Sequence, residues 1–260
     1  MSWPTAGLAF RLRLSSALSA AVGLVAVMAA VGALFPSVGH SIGTLNVPKS
    51  VENLLGGADY GTVTGWFRSE IAVIYGPLVI GALAITGASA ATAGEEEDRV
   101  LALVLAYPIS RSRLVAAKAA GIAAVVLTIA LATWIGFIVG VALAGGGISI
   151  AHITALAVHL AFFGLATGAL AIALAAGTGR RSFASGSAAA IAILGWLINS
   201  FAPLVSGLSW MRYASLFYYY AGHDPLTRGI DITGVIVLGL VAVVLMAAGV
   251  WRIERRDLTG

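Results

Sequence analysis

Four consecutive acids, Glu95-Glu96-Glu97-Asp98, and four histidines are the residues of this chain with the widest chemical reach. Paired carboxylates with a later histidine would suit a metal-activated water, as in intramembrane proteases of the Glu-Glu-x-x-x-Arg type. The spacing fails, because from Glu95-Glu96 the arginine would fall on Val100. A His-x-x-x-Asn/Asp partner fails too: His152 is followed at that spacing by Leu156, and His159 by Phe163. His152 and His159 share a helix face, a spacing that suits haem or a metal. No carboxylate or further histidine accompanies them, so the simpler reading is an interfacial His152 and a His159 bonded to a neighbouring helix. The segment from Gly43 to Ser50 is one residue away from Gly-x-x-x-x-Gly-Lys-(Ser/Thr). There Pro48 replaces the second glycine and removes an N–H that a phosphate cradle would use. Cysteine is absent, which excludes thiol nucleophiles, disulfides and Cys-based zinc sites. These residues lead us to expect no catalytic residue, no metal site and no cofactor bound by this chain.

The elements that must position any site follow from composition. The 260 residues are 60% hydrophobic and 10% charged, with a mean hydropathy of +0.99. Soluble domains carry roughly 45–50% apolar and about 25% charged residues. Too few charges remain to clothe a water-facing surface. That excludes a soluble enzyme, a disordered chain and a coiled coil, and it argues against reading the net charge of +4 as a nucleic-acid footprint. A membrane crossing takes about 20 mostly apolar residues. Six stretches qualify: 14–35, 71–92, 115–144, 150–176, 183–201 and 232–251. The third and fourth exceed the need and are expected to tilt or protrude. The first is too long for the apolar core of a signal peptide and reads as an uncleaved span.

Charge sets the orientation. With both termini in the cytoplasm, the inner segments hold Arg11, Arg13, Arg99, Arg111, Arg113, Lys118, Arg180, Arg181, Arg252, Arg255 and Arg256. The outer segments hold only Lys49, Arg68, Arg212 and Arg228. The expectation is a multi-pass protein of a bacterial cytoplasmic membrane, with the lipid bilayer as its surroundings and no nucleic-acid partner. Gly136-x-x-x-Gly140 and Gly164-x-x-x-Gly168 predict close helix packing, within the bundle or between protomers.

Two outer segments are long. Segment 36–68 includes a short helical candidate at 47–55, with Asn46 as its cap. Segment 202–231 clusters Trp210, Tyr213, Phe217, Tyr218, Tyr219 and Tyr220. These aromatics read as an interfacial belt or as a lid or re-entrant helix, with Trp210, Tyr213, Phe217, Tyr218 and Tyr219 forming an exit gate. The span centres are bare of ionisable groups apart from His159, with Glu70 at a span edge. An ion-coupled secondary transporter, the alternative reading, has little there to couple with.

The inner segment 94–111 stands apart. Its acids suit the first turn of a helix, and Pro108 biases Tyr107 out of the helical region and so ends it. Val100, Leu101, Val104 and Leu105 form one apolar stripe. The result is a helix at about 95–107, too short to span. It lies on the inner membrane face or in a groove of a partner, unless the acids merely cap the second span.

Here the sequence resembles the permease subunits of ATP-binding-cassette transporters of the type-2 exporter class. The resemblance rests on Glu95-x-Glu97, Leu101, Leu105, Ala106-Tyr107-Pro108-Ile109-Ser110-Arg111, Leu114 and Lys118, and on the tail from Arg252 to Leu258. Arg99-Val100 and Ala102 depart from the family, which often has Gly-Thr and Glu at those places. The resemblance implies an all-α polytopic bundle, a single permease domain over 1–260, with six spans, an inner coupling helix and outer loop or re-entrant helices. It implies that Glu95, Glu97, Leu101, Leu105, Tyr107, Pro108, Ser110 and Arg111 meet a separate nucleotide-binding ATPase subunit, which holds ATP and Mg. It further implies a second permease copy or sister permease, and export of a hydrophobic or amphipathic substrate.

Overall fold

A computed structural model of the chain describes residues 3–39, 41, 60–97 and 110–255. Six of its helices are long and apolar enough to cross a membrane. They are α1 (Trp3–Leu34), α2 (Val63–Glu97), α3 (Arg111–Leu143), α4 (Ile150–Thr178), α5 (Arg181–Phe201) and α8 (Ile232–Arg255). Two short helices, α6 (Leu216–Ala221) and α7 (Pro225–Arg228), lie between α5 and α8. The described residues contain no strand. Each expected span coincides with one of the six long helices, with 14–35 and 115–144 overrunning theirs by one residue, which makes this an all-α, multi-pass membrane bundle.

Local chemistry sets the helix limits. Ser110 caps α3 by accepting the Arg113 N–H at 3.4 Å, and Ser149 caps α4 by accepting the His152 N–H at 3.2 Å. Gly179, at φ +64°, stops α4, and its N–H donates to the Ala175 carbonyl at 2.8 Å. Helix α4 is the centre, with 67% of its apolar window buried against 17% for α5 and α8. The outer helices turn Leu194, Val243 and Val244 outward, as hydrocarbon-facing surfaces do.

Small residues let the helices approach closely. A Cβ on Gly32 of α1 would lie 2.0 Å from the Gly140 carbonyl oxygen of α3. Gly136 faces Met28, whose sulfur would stand 2.6 Å from an added Cβ. On α4, Gly164 fits between Ile80 and Val126, and Gly168 faces Ala84 and Ile122. Gly136, Gly140, Gly164 and Gly168 thus pack within one chain.

Helix α2 departs furthest from the expected 71–92. It starts at Val63, where Thr62 accepts the Gly65 N–H at 3.1 Å, and it carries π-helical turns at Arg68–Tyr75 and Ala90–Gly94. Arg68, expected in an outer loop, lies inside the helix. Asp224 neutralises it at 3.0 Å from beyond α6, a partner that hydropathy does not register. At the other end Glu95–Glu97 form an α-helical turn that follows directly on the π-helical stretch Ala90–Gly94, and tertiary partners, described below, hold these acids. The candidate helix at 47–55 and residues 98–109 of the inner segment lie outside the described residues.

Candidate functional site

The site begins with a proline. In the π-helical stretch the Gly76 N–H donates to the Ile71 carbonyl. In that register the donor for the Ala72 carbonyl would be residue 77, which is Pro77 and has no N–H. The Tyr220 hydroxyl replaces it, donating to the Ala72 carbonyl at 2.6 Å from a fully buried position. Burial without any charged neighbour pushes the Tyr220 phenol pKa far up, so it remains a donor. Tyr220 packs on Phe163 and Phe217, with ring centroids 5.2 and 5.4 Å away. One aromatic cluster thus joins α2, α4 and α6. Ser215 fastens α6 to α5 by donating to the Gly195 carbonyl at 2.7 Å.

Below this cluster α2 and α5 leave an apolar groove of about 770 Å³. Val73, Pro77, Leu78 and Ile85 form one wall, Ala189, Ile193 and Trp196 the other, and Phe163 and Phe217 close the end. The indole Nε1 of Trp196 is buried and meets no acceptor.

A second cavity of about 320 Å³ adjoins it and shares Val73 and Phe217. Its lining is polar: Arg68, Asn199, Ser200, Arg212, Tyr218 and Asp224. The Arg68–Asp224 pair sits in its wall, and Asp224 also accepts from the Thr227 hydroxyl. The Arg212 guanidinium lies 5.2 Å from the ring centroids of both Tyr213 and Tyr218. Its Nη2 donates to the Tyr213 hydroxyl at 3.4 Å, while its Nε is buried with no acceptor. The hydrogen bond from Arg212 lowers the Tyr213 phenol pKa, and that same bond raises the pKa of Arg212. Burial raises Tyr218.

The residues read from the sequence as a gate separate into three groups. Trp210 and Tyr213 are exposed, whereas Phe217 is buried in the core. Tyr218 and Tyr219 are half-buried between them, and the Tyr219 hydroxyl donates to the Tyr213 carbonyl at 3.0 Å. Tyr220, left out of that set, is the residue that bonds the helix. Pro77 was the available signal, since a proline within a span leaves a carbonyl to be satisfied.

At the opposite end of α2 the acids are bonded within the chain. Lys118 of α3, almost fully buried, donates to Glu95 at 2.7 Å. Glu97 accepts the backbone N–H of Arg181 at 2.9 Å. Arg180, the N-cap of α5, offers no side-chain cap, so Glu97 supplies one from another helix. Glu96 is buried. Of the other expected ATPase contacts, Ser110 caps α3 and Arg111 opens it. Leu101, Leu105, Tyr107 and Pro108 lie outside the described residues.

His159 is buried, and both its ring nitrogens have partners. Nδ1 donates to the Ala155 carbonyl at 2.8 Å, and Nε2 accepts the Asp231 N–H at 3.3 Å, tying α4 to the start of α8. Among the described residues no group of three or more His, Asp or Glu is placed so that it could hold a metal ion.

The family model described as "Multidrug efflux system permease Rv1217c, C-terminal domain" matches residues 4–253. No curated protein matches the chain.

Proposed function

The chain belongs to this multidrug efflux permease family, and from that premise we propose that it is the membrane subunit of an ATP-binding-cassette exporter of the type-2 class. A separate ATPase subunit holds ATP and Mg. The chain itself does no chemistry, and it pairs with a second copy or a sister permease. Both termini face the cytoplasm, in line with the Lys and Arg bias, which leaves α6 and α7 outside.

Segment 95–107 is the coupling element. The observation that carries this reading is the bonding at its head. Glu95 is tied to Lys118 on α3, and Glu97 to the first turn of α5. The same α2 backbone continues from these acids to the wall of the apolar groove, and α5 is the facing wall. Force applied by a partner to 98–109 therefore reaches α2, α3 and α5 at once. A shift of α2 against α5 changes the width of the groove through which a hydrophobic or amphipathic substrate passes. The π-helical turns at Ala90–Gly94 and Arg68–Tyr75 bracket the moving part, and such turns are places where a helix yields.

The test is co-purification with the ATPase subunit. Leu101→Asp puts a charge on the apolar stripe of 98–109 and is expected to abolish the complex while membrane insertion persists. An unaltered complex refutes the coupling role. Uphill flux by the purified chain alone from an ion gradient refutes the assignment as a whole.

A further inference from the structure

One face of α8 passes from apolar to cationic without a break. Leu240, Val244, Ala248, Trp251 and Arg255 follow one another at steps of three or four and are all exposed, so they form a single ridge. The opposite face is taken up by the bundle: Gly249 meets the backbone of Ala173 on α4, and Ile253 is buried. From Leu240 to Trp251 the ridge rises roughly 16 Å at about 1.5 Å per residue, close to half of a hydrocarbon core of about 30 Å. It is as long as the acyl region of one leaflet.

The end of the ridge is built from an indole and two guanidinium groups. Trp251 is half-exposed, as aromatic side chains are at the membrane–water boundary. The Arg255 guanidinium lies 4.5 Å from its ring centroid and that of Arg252 5.9 Å, so the ring holds both cations against the end of the apolar face. Neither arginine forms an ion pair with a described residue. The acids of the same end of the bundle are engaged elsewhere. Glu95 is paired with Lys118, Glu97 caps α5, and Glu96 is buried. Glu254 is exposed, and this one carboxylate stands against the two arginines. Cations in a last helical turn also suit the helix dipole, but that role does not call for an exposed indole beneath them.

We propose that this end of α8 is a binding site for an anionic phospholipid. The phosphodiester sits on Arg255 and Arg252, whose planar forks match its oxygens. One acyl chain lies along Trp251, Ala248, Val244 and Leu240. The Lys and Arg bias that orients the chain makes this a lipid of the inner leaflet, but the binding does not depend on the transport reading.

The test uses the full chain in phosphatidylcholine nanodiscs. The chain has no cysteine, so Ala248→Cys gives one place for a bimane fluorophore. The probes are phosphatidylglycerol and phosphatidylcholine, each nitroxide-labelled near the head of one acyl chain and added at the same low fraction. Phosphatidylglycerol is expected to be enriched at residue 248 about fivefold over phosphatidylcholine, the scale of one uncompensated basic residue at a membrane surface. Arg252→Gln with Arg255→Gln should bring the ratio to about one. Unchanged quenching by phosphatidylcholine in that variant reports that α8 still stands in the bilayer. Arg252→Lys with Arg255→Lys should keep part of the preference.

Ala190→Cys on α5 separates a site from general attraction. It is exposed, and Arg180 and Arg181 are exposed at the start of that helix, with no ring contact to hold them. A ratio near one there supports the site on α8. The same enrichment at both positions overturns the proposal, because the basic surface then draws anionic lipid without a site. Equal quenching by the two lipids at residue 248 overturns it, as does an enrichment that survives the double glutamine variant. Cross-linking of two chains through residue 248, with quenching by neither lipid, makes the ridge a contact between copies and overturns it too.

Discussion

Removing one oxygen atom tests the account of α2. Tyr220→Phe keeps the ring in contact with Phe163 and Phe217 and deletes only the donor to the Ala72 carbonyl. The Gly76 N–H is already committed to Ile71, and Pro77 has none, so no helical donor stands ready. An unsatisfied buried acceptor costs roughly 1–3 kcal/mol, while hydrogen bonds between membrane helices average about 0.6 and reach about 1.7 kcal/mol. Full burial of Tyr220 puts this bond at the upper end of the membrane range, so we expect a loss of about 1.5 kcal/mol. The assay is equilibrium unfolding in mixed detergent micelles, followed by tryptophan fluorescence. Pro77→Ala makes the test specific, because it restores an N–H at the place where Tyr220 substitutes for one. In that background Tyr220→Phe should cost less than about half as much. Equal costs in the two backgrounds would refute the claim that the hydroxyl stands in for the missing proline donor.

Two further substitutions probe the packing and the acidic end. Gly140→Leu drives a side chain into the Met28 backbone and the Phe67 ring, and should separate α1 from α3 at a cost of about 3 kcal/mol or more, read as loss of folded protein in the same assay. Glu97→Ala removes the cap of α5 and should cost about 1 kcal/mol; Glu97→Gln, which keeps an acceptor, should cost about half of that. Faster hydrogen exchange at residues 181–184 in the alanine variant is the direct readout, and unchanged exchange there would disprove the capping.

The sequence made the six crossings plain because each is a long, nearly uncharged run, and hydrocarbon thickness leaves few other ways to place such a run. What it concealed depends on partners distant in the chain. Arg68 looked like a loop residue because its charge is cancelled by Asp224, across 155 intervening positions. Glu95 and Glu97 carry a local signal, since acids favour the first turn of a helix, but their tertiary role was hidden. Their actual neighbours, Lys118 and the Arg181 amide, belong to two other helices. The aromatic cluster was visible as composition, but only the fold separates Phe217 and Tyr220, which belong to the core, from Trp210 and Tyr213, which face outward. The groove was not legible at all. Its walls are apolar residues like any others in the spans, and Trp196 in its lining carries no local signature.

Between α3 and α4 stand Gly145, Gly146 and Gly147, with φ of +96°, +87° and +110°. The first two have open space around them, so side-chain bulk is not the reason for glycine there. The reason is handedness, since a left-handed backbone costs roughly 1–2 kcal/mol for each L-residue that has a Cβ. Three mirror-image steps in a row make this joint a place where almost any replacement is penalised even where nothing touches it. Epitope tags and reporter insertions should avoid this hinge-free corner and go to Gly207 instead, where a single such residue stands in an exposed turn.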